Sequence, residues 1–150
     1  MTEIQPFIVE RFYKAPARNV WRAITEIAFI REWYFNIPAF RPEPGFEFSF
    51  ESKDCNEAKI HHCKVIEVVK GKKLSYSWKY EGYAGNSVVT FEIFEEGKNQ
   101  TRLRLTHAGL ETFPPDLLER KNIKEGWNWL IDTSLRNLLE QTPGKFIEHN

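Results

Sequence analysis

Between residues 60 and 64 the chain reads IHHCK, two imidazoles and a thiol in consecutive positions. Such side chains bind metal ions, move protons or act as nucleophiles. On a strand, His61 and Cys63 share one face while His62 points to the other. That supplies two ligands, with Cys55 a candidate third across a hairpin. Zinc takes four protein ligands, or three and a water, and this spacing matches no zinc motif. No metal is expected; one inward and one solvated histidine is the plainer account. His107, just before Ala108-Gly109, is the other chemical candidate. It either hydrogen-bonds a ligand carbonyl or phenol, or has its ring nitrogens satisfied by neighbouring backbone and tyrosine hydroxyls. A general-base role lacks the inward carboxylate that would orient the ring.

Other chemistry is missing from the sequence. It contains no G-x-S-x-G elbow, Walker loop, dinucleotide fingerprint or H-E-x-x-H, so hydrolases and nucleotide enzymes built on them are excluded. No catalytic residue and no cofactor are assigned. What stands out instead is aromatic content: 15% of 150 residues, with 12 Phe, 5 Trp and 5 Tyr. Each ring buries about 150–250 Å², which favours a large ring-lined interior.

Steps along the chain show what must position these rings. Residues 4–13 read as a first strand, and Pro16 opens a helix at its first position with Val20, Trp21 and Ile24 as its apolar stripe. A second short helix carries Phe29, Ile30 and Trp33. NIPAFRPEPG, with three prolines, is an irregular connection. Period-two alternation follows. FEFSFES puts Phe46, Phe48 and Phe50 on one face, and residues 58–69 make another strand, closed by the turn KGKK. LSYSWKY aligns Leu74, Tyr76, Trp78 and Tyr80. VVTFEIF aligns Val89, Phe91 and Ile93, and TRLRLTH aligns Leu103, Leu105 and His107. Short linkers predict an antiparallel meander.

The loop AGLETFPPDLLERK, stiffened by Pro114-Pro115 and carrying Phe113, Leu117 and Leu118, either gates a cavity mouth or packs there. A last helix spans 122–141, started by Asn122 and Glu125 in a capping-box pattern and stopped by Thr142-Pro143-Gly144. Its stripe is Ile123, Trp127, Leu130, Ile131, Ser134, Leu135 and Leu138. In GWNWLIDTSL, Trp127 and Trp129 stand about 200° apart on a helix, so only Trp127 faces the sheet. Trp129 covers the proline-rich connection at 38–44 or anchors self-association or a partner. The order of elements predicts one α+β domain over 1–150, two-layered, with one sheet face covered.

FYKAPARNVWRAIT, KKLSYSW, VTFEIFEEGKNQTRLRLTHAGL and GWNWLIDTSL, in this order and spacing, resemble the activator-of-Hsp90-ATPase-homologue-like (AHSA1-like) group of the START/Bet v 1 (SRPBCC) superfamily. The match runs from about residue 7 to 140. It departs at Cys63, where that group often has Gly, and at Trp129, outside the shared pattern. The resemblance implies a helix-grip fold: a curved antiparallel sheet of about six strands wrapped around a long C-terminal helix, with two short helices after the first strand. It also implies a cavity between sheet and helix for lipid- or polyketide-like guests, with Trp78, Phe91, Leu105, His107 and Trp127 facing it.

Periodicity and resemblance together give a candidate cavity set of Trp33, Phe46, Phe48, Phe50, Tyr76, Trp78, Tyr80, Val89, Phe91, Leu103, Leu105, His107, Trp127, Leu130, Ile131 and Ser134. Three functions are weighed: a non-enzymatic domain binding an apolar or aromatic small molecule, a module contacting an Hsp90-type chaperone, and a cyclase-like enzyme using the same cavity. With 21 cationic and 21 anionic residues, interleaved, nucleic-acid binding is not expected. MTEIQPFIVERF has no basic n-region ahead of an apolar h-region and no run is long enough to span a membrane. A cytoplasmic monomer or weak homodimer, with Cys55 and Cys63 reduced, is therefore expected.

Overall fold

The computed structural model describes residues 6–54, 57–114 and 123–146. Strand β1 (Phe7–Tyr13) leads into α1 (Ala17–Thr25) and α2 (Ile27–Trp33). Five strands follow: β2 (Glu47–Asp54), β3 (Glu57–Val69), β4 (Lys73–Tyr80), β5 (Ser87–Gly97) and β6 (Gln100–Ala108). The terminal helix α3 starts at Ile123. The six strands form one sheet in the order β1-β6-β5-β4-β3-β2, antiparallel throughout. The meander is as the linkers predict, with β1 returned beside β6.

The expected inward faces hold along β4, β5 and β6. Leu74, Tyr76, Trp78, Tyr80, Val89, Phe91, Ile93, Leu103, Leu105 and His107 are all buried. β3 needs a correction to its simple alternation. His61, Cys63 and Val65 are buried, but the register shifts between Val65 and Glu67. That bulge puts one extra residue on β3, so Ile66 and Glu67 both stay exposed. Pro16 is also one position off expectation. It is the N-cap of α1 in extended conformation, its carbonyl accepting from the Asn19 and Val20 amides at 3.0 and 3.3 Å.

α3 is not a plain α-helix. Ile123–Trp129 is α-helical, and π turns follow at Leu130–Ser134 and Asn137–Gln141. The buried set explains this: Ile123, Trp127, Ile131, Leu135 and Leu139 recur at every fourth residue. On a 3.6-residue helix such a repeat drifts about 40° per step. Interposed i→i+5 turns wind the other way and keep the stripe on the sheet. The Tyr13 phenol donates to the Ile131 carbonyl inside the first π turn.

β1 is an edge strand, and α3 covers its open side. Arg136 Nη1 donates to the Phe12 carbonyl at 2.9 Å, Arg11 pairs with Asp132 at 3.2 Å, and the Lys14 amide donates to Glu140 at 2.9 Å. Charged side chains thus occupy backbone groups that would otherwise pair with another chain. Trp129 is 58% exposed, so it does not take the covering role open to it in the sequence. The proposed N-cap Asn122 and the loop residues Pro115, Leu117 and Leu118 lie outside the described residues. Phe113, from the same loop, packs edge-on against Tyr80 at 5.3 Å and is buried.

Two glycines, Gly85 and Gly109, have positive φ and no room for a Cβ. Gly85 has φ +113°, and a Cβ there would lie 2.6 Å from the Thr112 carbonyl oxygen and 2.7 Å from Phe113 Cδ1. This loop is tied to the turn after β6 by the Asn86 amide donating to Thr112 Oγ1 at 2.9 Å. Gly85→Ala combines left-handed strain with a backbone collision, and is expected to cost about 2–4 kcal/mol. Urea denaturation checks it: a midpoint equal to wild type would mean that the loop moves aside freely.

Candidate functional site

The interior is organised by two tryptophans that each aim an indole N–H at a buried histidine. Trp127, from the stripe of α3, donates to His107 Nδ1 at 2.9 Å. Indole is a donor only, so Nδ1 is the bare nitrogen and the proton sits on Nε2. Nε2 then donates to Ser87 Oγ at 2.7 Å, and Ser87 passes its own proton to the Trp78 carbonyl at 2.8 Å. The Trp78 ring lies flat on His107, centroids 4.6 Å apart at 15°. Its indole N–H donates to His61 Nδ1, and His61 in turn lies parallel to Phe50 at 4.6 Å.

Of the two uses the sequence leaves open for His107, the structure gives the satisfied one, with different partners from those expected. Both ring nitrogens are engaged, by a tryptophan and a serine rather than by backbone or tyrosine. Burial pulls the imidazole down to about 3, so it is neutral in any ordinary buffer. It has no lone pair to offer a substrate. Cys63 is buried as well, and desolvation pushes its thiol far above the ordinary thiol range, which makes it a poor nucleophile. His62 is exposed, between Ser49 at 2.9 Å and Glu81 at 3.2 Å. Among the described residues, no three His, Cys, Asp or Glu side chains group to hold a metal ion. Cys55 lies outside them.

Among the described residues, the space between sheet and α3 is closely packed. Trp127 stands edge-on to Trp78 at 5.3 Å and to Phe91 at 6.1 Å, and Ile131, Leu135 and Leu139 are buried along the same stripe. A small void lined by described residues lies one element over, beneath α1, α2 and the proline-rich connection. Ile24, Ile30, Trp33, Tyr34, Ile37, Phe40, Phe48, Tyr76 and Phe91 line it. Its volume is about 10 Å³, room for about one water molecule.

Four of the sequence candidates therefore line the slot: Trp33, Phe48, Tyr76 and Phe91. Phe50, Trp78, Tyr80, Val89, Leu103, Leu105, His107, Trp127, Leu130 and Ile131 are buried around it without lining it. Phe46 is half-buried against Phe40 at 6.1 Å, and Ser134 donates to the Trp33 carbonyl at 2.7 Å, holding α2 to α3. Five lining residues were not foreseen. Ile24 and Ile30 are helix positions in the sequence reading, Ile37 and Phe40 lie in the irregular connection, and Tyr34 falls just before it in no assigned element. A signal was present: YFNIPAF carries four large apolar side chains in seven residues, too many for a solvated loop.

Tyr34 is the hinge between slot and core. It follows α2, stacks on Trp127 at 5.8 Å, and its hydroxyl meets that of Tyr76 at 2.9 Å. Burial raises both phenols well above their usual range, so both stay protonated. Trp33 is pinned by its own indole, which donates to the Ala23 carbonyl at 2.7 Å.

A six-stranded antiparallel sheet gripping a long terminal helix, with two short helices after the first strand, is the helix-grip architecture of START/Bet v 1-like proteins. The family model for "Activator of Hsp90 ATPase homolog 1-like protein" matches residues 14–140, and the chain belongs to that family. Protein MLL2253 from Mesorhizobium loti is 31% identical, with a TM-score of 0.76, covering 92% of this chain and 98% of its own. Two further structures are alike in fold. DynU16, a protein in the dynemicin biosynthetic locus, has 20% identity and a TM-score of 0.74, over 94% of this chain and 49% of its own. PFC0360w, an HSP90 activator from Plasmodium falciparum, has 21% identity and a TM-score of 0.65, over 90% of this chain and 94% of its own. No curated protein sequence matches the chain. No helix among the described residues is long and apolar enough to cross a membrane.

Proposed function

We propose that the domain binds an uncharged apolar or aromatic small molecule in the slot beneath α2, and that the structure is its closed state. One observation carries this reading. Six of the nine side chains lining the slot belong to helices or strands and three, Tyr34, Ile37 and Phe40, to residues 34–40, a segment outside helix and strand. Loops open more readily than packed helices or strands. A guest that displaces Phe40 gains burial at about 25 cal/mol per Å² of apolar surface. No lining residue is charged, so an ionised group would enter unpaired.

Titration with fluorene, followed by two-dimensional NMR, tests the reading directly. The Trp33 indole resonance is expected to shift, and Phe40→Ala to tighten binding roughly three- to tenfold, because the competent state is more populated. Native mass spectrometry of protein from its own host is expected to show a co-purifying small molecule. No response at Trp33 in wild type or variant ends the proposal. A second reading, contact with an Hsp90-type chaperone, is supported by the family description and by PFC0360w. It takes over if fluorene fails to bind while the protein raises a chaperone's ATPase rate.

A further inference from the structure

The Tyr34–Tyr76 couple has one proton too many. Each phenol carries one O–H, and the two oxygens are 2.9 Å apart. One O–H is consumed in that contact; the other has no acceptor among the described residues. Tyr76 is buried and Tyr34 is partly so, which sets the couple at the border between the slot and the surface. Both side chains line the slot, and every other lining side chain except the Trp33 indole, already donated to Ala23, is hydrocarbon. The spare proton is thus the side-chain donor that the slot holds in reserve.

We infer that this spare O–H is a recognition handle, and that the ligand is a neutral, flat molecule presenting one acceptor oxygen, such as a ketone or quinone carbonyl. The inference rests on the proposed small-molecule function and narrows its ligand class. A donor is what the couple provides, since both phenols are held protonated by burial. The slot has no cation for a carboxylate or phosphate. Either hydroxyl can serve as the outer donor, because the inner bond is formed equally well in both senses.

That last property gives the test its signature. Fluorenone and fluorene differ by one carbonyl and are nearly equal in shape. Wild type is expected to prefer fluorenone roughly five- to tenfold, the yield of one net hydrogen bond. Tyr34→Phe and Tyr76→Phe each leave one hydroxyl with its proton unspent, so each single variant keeps most of the preference. Tyr34→Phe with Tyr76→Phe together abolishes it, so that the double variant binds the two probes alike. The double variant removes both partners of a buried pair at nearly constant shape, a change that folded proteins tolerate. Equal binding of the two probes to wild type overturns the handle but leaves the small-molecule reading intact, as does a preference that survives in the double variant. Binding of neither probe overturns both.

Discussion

Trp127→Ala is expected to be the most damaging single substitution in the described core, lowering stability by about 4–8 kcal/mol. Losing a fully buried tryptophan costs about 3–5 kcal/mol in transfer and cavity terms. Here the deletion also strips the donor from His107 Nδ1, leaving a buried acceptor unpaired at a further 1–3 kcal/mol, roughly. Since a domain is stable by only about 5–15 kcal/mol, the variant stands at the edge of unfolding. Trp127→Phe separates the two losses. It retains a ring between Phe91 and Tyr34 but removes the N–H, and about 1–3 kcal/mol should disappear. Guanidinium denaturation of both variants checks this. If Trp127→Phe matches wild type, the indole–imidazole bond contributes nothing.

Acid is the second strong lever. His107 is neutral in the fold with a pKa near 3, against 6.5 for an ordinary histidine. The unfolded chain therefore binds a proton that the folded one refuses. The sign follows: this contribution is fully present above pH 6.5 and is lost as pH falls towards 3. At about 1.4 kcal/mol per pH unit, the loss reaches roughly 5 kcal/mol at the lower end. Glu10 acts in the same direction lower down. Its hydrogen bond from Arg104 holds the carboxyl below the usual range, so it weakens the fold only where carboxylates protonate. Stability measured from pH 7 to pH 4.5 stays largely above the range in which Glu10 acts. In His107→Gln, less stable at neutral pH, that slope should flatten; an unchanged slope would place the acid-sensitive group elsewhere.

The sheet was legible because its alternation is strict where it matters. LSYSWKY sends four large side chains to one face, and no other register buries them all. Trp127 was legible as inward, and Trp129 as outward, from helical geometry alone. The bulge in β3 was not, since VIEVV offers apolar side chains on both parities and only the partner strand decides between them. The π turns lay hidden in a four-residue repeat that resembles an ordinary amphipathic helix. Half the slot was missed for a different reason. Prolines mark 36–45 as irregular, and an irregular backbone has no period from which to tell that Ile37 is only 1% exposed. Which rings merely fill space, and which border a void, depends on long-range packing that no local spacing encodes.

The seam between β1 and α3 has a consequence for how the chain reaches its shape. Phe7 sits opposite His107 in the sheet, and Arg136 reaches back 124 positions to the Phe12 carbonyl. During synthesis β1 emerges first and waits for almost everything else before it finds either neighbour. The five-strand meander β2–β6 assembles through short-range closures, so it is the natural nucleus, and the two ends dock onto it late. Such a high-separation closing step predicts slow folding for a domain of this size. It also leaves Ile8 and Phe12 beside an uncovered strand edge until the last helix arrives, the interval in which a nascent chain is most prone to aggregate.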